Sequence, residues 1–394
     1  MHEFTQYAPT EIVFGEETEL QAGSLTKKWG ASRVLIVYGG GSVVKSGLLD
    51  RVKTSLSDAN LYFEELGGVQ PNPRLQLARE GVAQAIAMKA DFILAVGGGS
   101  AIDTAKGIAL GSANPTLDLW DDIWLGATMI PQSIPVGVIL TLSAAGSETS
   151  DSAVLTNEAT GTKQGLSVHW NRPKFAIMNP ELTYTIPKRQ LSCGIVDIMM
   201  HTLDRYFTPK QANELTDQIA ESVLRVTVEN GRIAYENQTD YSAMSEIMWA
   251  GSVSHNGMTG LGGLPDFATH RIGHELSAKY DTYHGESLSV IWPAWARYVY
   301  KSDVARFARY AKNVWDIEKD TPEESAIAGI EATEVYFKSV GMPICFGDLE
   351  IGIRPDSELQ EMAAAATHKN TTTLGSFVVL DEDALCTIYQ GANV

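Results

Sequence analysis

The sequence predicts an α/β plus all-α chain: an N-terminal domain built on a parallel sheet over residues 1–187, then an all-helical domain over 188–394. Three observations predict it. Short β-branched runs alternate with helical stretches through the first half, two of those runs end in the same GGGS turn, and strand-like runs become scarce after Pro187.

Arg33 to Tyr38 and Asp91 to Val96 are continuous apolar runs of strand length that end in glycine, the signature of strands buried on both faces. Between them, Leu75, Ala78, Val82, Ala85 and Ile86 fall at helical spacing with Arg79 and Gln84 on the other face, so 75–88 is a crossover helix. A third apolar run, Pro135 to Leu140, leads into a loop of small hydroxyl residues from Thr141 to Glu148. Beyond the boundary, Ile195 to Phe207, Asn213 to Tyr235, Tyr241 to His255 and Asp303 to Val314 all read as helices, and no internal repeat is present.

At 394 residues the chain is long enough for two or three domains at roughly 150 residues each. Its formal charge of −18 repels phosphate backbones and anionic headgroups, which argues against nucleic acid and membrane partners. Cys193, Cys345 and Cys386 are odd in number and widely spaced, unlike a disulfide framework or a thiolate zinc site. The first residues lack a secretory pattern and no apolar run approaches the ~20 residues of a bilayer span, so a cytoplasmic location is expected.

A glycine cluster directly after a buried strand lets the backbone approach a pyrophosphate. Two such clusters in one sheet make a dinucleotide cradle the better reading than turn geometry alone. Neither matches GxGxxG, because Ile102 and Val44 stand where its last glycine would be. Ser100 and Asp103 have the spacing of a capping box, predicting a helix start there. The first strand ends in Tyr38 and then Gly39, Gly40, Gly41 and Ser42, with Lys45 nearby and no carboxylate to repel a 2′-phosphate. That favours NADP(H) over NAD(H).

Three of the eight histidines, His270, His274 and His284, fall within fifteen residues. His270 and His274 share a helix face at i, i+4, as do Asp197 and His201, the latter pair among apolar neighbours. A carboxylate in an apolar stripe requires a partner, and Fe2+ or Zn2+ held by imidazole and carboxylate would supply one. Spacing does not decide which of His270 and His274 would bind. HExxH is absent, since Ala278 stands where its second histidine would be. Tyr206 and Lys210 formally match YxxxK, but Pro209 disrupts the helical spacing that would bring them together.

These segments, with 7–15, Pro71 to Pro73 and 97–106, resemble the iron-containing (group III) alcohol dehydrogenases along essentially the whole chain, most closely the NADP-dependent butanol dehydrogenase and aldehyde reductase branch. The resemblance implies a Rossmann-like N-terminal domain, a helical C-terminal domain in the dehydroquinate synthase-like arrangement, and hydride transfer between NADP(H) and a small primary alcohol or aldehyde. It implies Asp197, His201, His270 and His284 as metal ligands and His274 as a proton-relay candidate. Cofactor contacts would fall on Gly39, Gly40, Gly41, Ser42, Asn72, Gly97, Gly98, Gly99, Ser100, Asp103, Thr141, Ser143 and Lys163. One departure is Ala145, where the family often carries threonine. The resemblance also implies a homodimer. The rival readings are a glycerol dehydrogenase-like polyol oxidoreductase, a dehydroquinate-synthase-like cyclase, and a non-catalytic nucleotide-sensing module.

Overall fold

The structure is a computed structural model and describes residues 2–126, 130, 132–144, 146–209 and 213–394. The chain divides into two compact units, Tyr7–Ile186 and Pro187–Val394, the second joined by Met1–Gln6.

In the first unit the elements run β1 (Glu11–Phe14), α1 (Ala22–Lys28), β2 (Arg33–Gly39), α2 (Ser42–Lys45), α3 (Leu48–Asp58), β3 (Tyr62–Val69), α4 (Leu75–Met88), β4 (Phe92–Gly97), α5 (Gly99–Ala113), β5 (Val136–Leu140), β6 (Ser152–Asn157), β7 (Thr162–Ser167) and β8 (Phe175–Met178). Six strands form one parallel sheet in the order β1-β8-β5-β4-β2-β3, and β6 and β7 form a separate antiparallel hairpin. Both faces of the sheet are covered, which is why its central strands read as unbroken apolar runs. On one side Ile36, Leu94 and Ile177 pack with Leu48, Val52 and Leu56 of α3. Elsewhere in the unit Leu75, Ala78 and Leu110 of α4 and α5 close over Leu155 of the hairpin and over Trp120 and Trp124.

The strand order positions the site. From β2 the chain moves outward to β3, whereas from β4 it moves the other way to β5. The carboxyl ends of the adjacent strands β2 and β4 therefore flank a topological switch point, where connections diverge and leave a crevice. Gly39 to Ser42 and Gly97 to Ser100 are the residues that leave these two ends.

The second unit is helical: α6 (Lys188–Tyr206), α7 (Glu214–Glu236), α8 (Tyr241–His255), α9 (Ala268–Tyr280), α10 (His284–Val299), α11 (Val304–Trp315), α12 (Pro322–Ser339), α13 (Asp356–Ala366) and α14 (Glu382–Ala392). Helix α6 is buried on every side from Ile195 to Tyr206, as a helix at the centre of a bundle is. Phe207 at its end packs on Phe307 with ring centroids 4.2 Å apart and meets Trp295 and Phe377 edge-on. Tyr206 is a core residue: its hydroxyl donates to Glu221 and the Arg306 guanidinium covers its ring. Lys210, the other half of the formal YxxxK match, lies outside the described residues. No helix among the described residues is long and apolar enough to cross a membrane.

Candidate active site

In the helical unit, α6 presents Asp197 and His201 one turn apart on a single face. His270 comes from α9, and His284 is the first residue of α10. Around Asp197 Oδ1 stand three imidazole Nε2 atoms: His201 at 3.4 Å, His270 at 3.6 Å and His284 at 3.7 Å. Ligand atoms of Asp197, His201 and His270 lie within 4.8 Å of one another, and all three side chains are buried.

The start of α10 is pinned against α6. Gly285 has no room for a side chain, since a Cβ there would lie 2.5 Å from Cys193 Cα. Arg189 near the start of α6 grips Glu286 through two hydrogen bonds, so the turn carrying His284 is held on both sides. Burial pushes the Cys193 thiol, partly covered at this contact, up to about 12, so it stays protonated near neutral pH.

His270 is oriented by Asp204, whose carboxylate is hydrogen-bonded to Nδ1 and which leaves Nε2 to face Asp197. Burial works against protonation of His270, yet the carboxylates of Asp204 and Asp197 outweigh it and raise its pKa to about 9. His201 goes the other way: burial, then His255, His270 and Arg205, hold it well below 6.5. The ring of His255 lies 4.1 Å from that of His201, and Arg205 contacts it at Nδ1. His274, one turn along from His270, has its ring 5.3 Å from that of His284.

Asp197 Oδ1, His201 Nδ1 and His270 Nε2 are buried without a hydrogen-bond partner. Orphaned buried acceptors each cost about 1–3 kcal/mol. Imidazole and carboxylate donors converging at this spacing fit a divalent iron or zinc ion, which would satisfy Asp197 Oδ1 and His270 Nε2 together.

In the sheet unit, Gly98 precedes the first residue of α5, and a Cβ on Gly97 or Gly98 would meet Ala101 or Leu142 closer than real contacts allow. Gly99 and Gly40 face open space. The glycines thus fit the close approach of a nucleotide backbone to the start of a 15-residue helix. Ser143 Oγ is buried with no partner, and Thr141 N donates to Gly97 O, tying the hydroxyl loop to the β4 turn. Lys163 on β7 donates to Asn72 at 3.1 Å, bringing those two expected contacts together.

The expected capping box is not formed. Helix α5 starts at Gly99, one residue before Ser100, and its cap makes no side-chain hydrogen bond. Asp103 faces the hairpin instead, accepting from Ser147 Oγ at 2.7 Å and from Val154 N at 3.0 Å. Spacing alone could not show that β6 competes for this carboxylate. Ala145 lies outside the described residues.

Asp204, Arg205 and His255 were not anticipated. Asp204 had a signal, because it follows Asp197 at i+7 and shares its helix face. His255 and Arg205 had none, since their pairing joins α6 to the end of α8 across 50 residues.

A glycine-lined switch point in one unit and an aspartate–histidine cluster in the other place the protein among metal-dependent dehydrogenases built from an α/β and a helical part. The profile of iron-containing alcohol dehydrogenases matches residues 9–180, and that of the family's C-terminal region matches residues 192–393. The chain belongs to the iron-containing alcohol dehydrogenase family. It is 39% identical to NADH-dependent butanol dehydrogenase A of Clostridium acetobutylicum over 99% of both chains. It is 34% identical to the NADPH-dependent aldehyde reductase YqhD of Escherichia coli over 100% of both. The crystal structure of NADH-dependent butanol dehydrogenase A from Thermotoga maritima superposes with a TM-score of 0.95 at 36% identity, covering 100% of this chain and 99% of that one.

Proposed function

We propose that the protein reduces small aldehydes, and oxidises the matching primary alcohols, with NADP(H) in preference to NAD(H) and with Fe2+ or Zn2+ held by Asp197, His201, His270 and His284. The observation that carries this reading is the set of three Nε2 atoms at 3.4 to 3.7 Å around Asp197 Oδ1. When bound, the metal supplies Lewis acidity toward the alcohol or aldehyde oxygen.

The chain's own residues do the rest. Asp204 fixes the His270 ring so that Nε2 stays aimed at the cluster, and the Asp197 carboxyl group stands at its centre, where it would face a bound cation. Burial and cationic neighbours keep His201 in the neutral form a ligand needs, whereas His270 would have to give up the proton that the Asp204 and Asp197 carboxylates favour on it before binding a cation. His274, close to His284 and only partly buried, is positioned to pass the alcohol proton outward.

The NADP(H) preference rests on the end of β2. Gly39 to Ser42 carry no carboxylate, Gly40 is open, and a Cβ on Gly41 would lie 3.9 Å from Lys45 Cε, so the lysine stem passes over this turn. A 2′-phosphate there would meet a cation in place of the acidic residue that selects NAD. Relatives with butanol dehydrogenase and aldehyde reductase names support a butanal-sized substrate, and the family resemblance supports a homodimer.

The test is steady-state oxidation of NADPH and of NADH with butanal, on protein stripped of metal and then reloaded with Fe2+ or Zn2+. Expected are activity restored by metal and a higher kcat/KM with NADPH. Full activity after stripping would overturn the metal assignment, and a higher kcat/KM with NADH would overturn the cofactor assignment.

A further inference from the structure

The sheet unit carries a half-open pocket of about 210 Å³ at the carboxyl ends of β2, β5 and β8, lined by Ser42, Thr141, Leu182, Glu19, Arg51 and Asn179 among others. Whole-ligand sites typically measure about 300–1,000 Å³, so this one is sized for part of a ligand. It adjoins the β2 turn through Ser42, the expected ribose contact.

Glu19 is the unusual member. Its side chain comes from the short 3-10 turn Thr18–Gln21 and is only 4% exposed. One oxygen accepts from Arg51 Nε at 3.1 Å and the other from Asn179 Nδ2 at 3.0 Å. A carboxylate offers about four acceptor sites, so these two bonds hold it in place without exhausting it. Asn179 is itself fixed, because its Oδ1 accepts from the backbone of Glu181.

The charges on this wall decide what fits. Glu19 and Glu181 together outnumber Arg51, so a phosphate is disfavoured, whereas a neutral ring bearing a hydrogen-bond donor is favoured. Val43, Leu48 and Leu182 add apolar surface for such a ring. We infer that Glu19 reads the base of the dinucleotide: its carboxylate accepts a hydrogen bond from the exocyclic amino group of adenine, with Arg51 and Asn179 as positioning residues. This rests on the reading that the sheet unit binds a nicotinamide adenine dinucleotide.

A base carrying a carbonyl in place of that amino group would set acceptor against acceptor. Sites built around one polar group reject the analogue lacking it far more strongly than apolar pockets reject a size change.

The test compares NADPH with its deamino analogue, nicotinamide hypoxanthine dinucleotide phosphate, by equilibrium fluorescence titration, with NADH and deamino-NADH alongside. The unaltered protein should hold the adenine form about tenfold or more tightly, the worth of one hydrogen bond to a charged group. In Glu19→Gln the amide can donate to the carbonyl, so the deamino cofactor should bind more tightly than it does to the unaltered protein. That gain is one a loosened fold would not produce. Equal affinities in the unaltered protein overturn the inference, a measurement that needs no variant, and so does an unchanged ratio in Glu19→Gln. If neither member of either pair binds, the dinucleotide reading beneath it falls too.

Discussion

The Asp204 carboxylate is hydrogen-bonded to Nδ1 of His270 while Nε2 of the same ring stands 3.6 Å from Asp197, two turns back along the helix that carries Asp204. One helix therefore supplies both the carboxylate at the centre of the cluster and the one that orients an imidazole toward it. Partners of this kind typically contribute about 10–100-fold to metal affinity. Asp204→Asn should lower affinity for Zn2+ or Fe2+ by about that factor, read from metal content after dialysis against graded chelator. Unchanged metal retention would show that His270 is oriented by packing alone.

Gly285 carries a second prediction. In Gly285→Ala the new methyl group would lie 2.5 Å from Cys193 Cα and 2.5 Å from its carbonyl oxygen, both backbone atoms that cannot swing aside. The start of α10 must move, and His284 moves with it. Overpacking of this sort costs about 1–3 kcal/mol, so the urea midpoint should fall along with metal content. A variant that loses stability while keeping its metal would separate the helix contact from the placement of His284.

What the sequence made legible follows from how local each feature is. The strand at 33–38 and the helix at 75–88 were readable because their apolar spacing is set by their own burial. The face shared by Asp197 and His201 was readable for the same reason, since i, i+4 needs only one helix. Their meeting with His270 and His284 depends on three helices packing together, which spacing does not encode and the family resemblance supplied. The capping box failed because Asp103 found donors in Ser147 and in Val154 of β6, the latter about 50 residues away in sequence. Glu19 and Arg51 form a pair 32 residues apart with no pattern to mark it.

Gly40 tests the cofactor preference. Its Cβ position faces open space, so the fold should tolerate Gly40→Asp, and the added carboxylate would sit beside the expected 2′-phosphate. NADPH affinity should fall by about tenfold or more while NADH affinity changes little, as repulsion between like charges at close range requires. Equal losses for both cofactors in fluorescence titration would remove the basis for the preference.

Lys106 predicts a pH dependence whose sign can be worked out. Its amine is buried at the heart of the sheet unit and donates to Ser147 O at 2.7 Å, Ser147 Oγ at 3.0 Å, Ser150 O at 3.2 Å and Ser152 O at 2.7 Å. Burial lowers its pKa from 10.5 to about 8, although Asp103 and Glu148 pull the other way. Between those two values the unfolded chain binds more protons than the folded one, so stability from this group rises with pH across the window. Below about 8 the cost of burying the charge is present in full. Lys106→Met has no proton to lose there, and subtracting its urea-unfolding free energy from that of the unaltered protein cancels the titrating groups that do not interact with Lys106. The difference should shift in favour of the unaltered protein by on the order of 3 kcal/mol between pH 7 and 10.5. A difference that stays flat would mean that the four oxygens hold the ammonium charged at no cost, and that the lysine fastens α5 to the loop after β5 as a permanent ion.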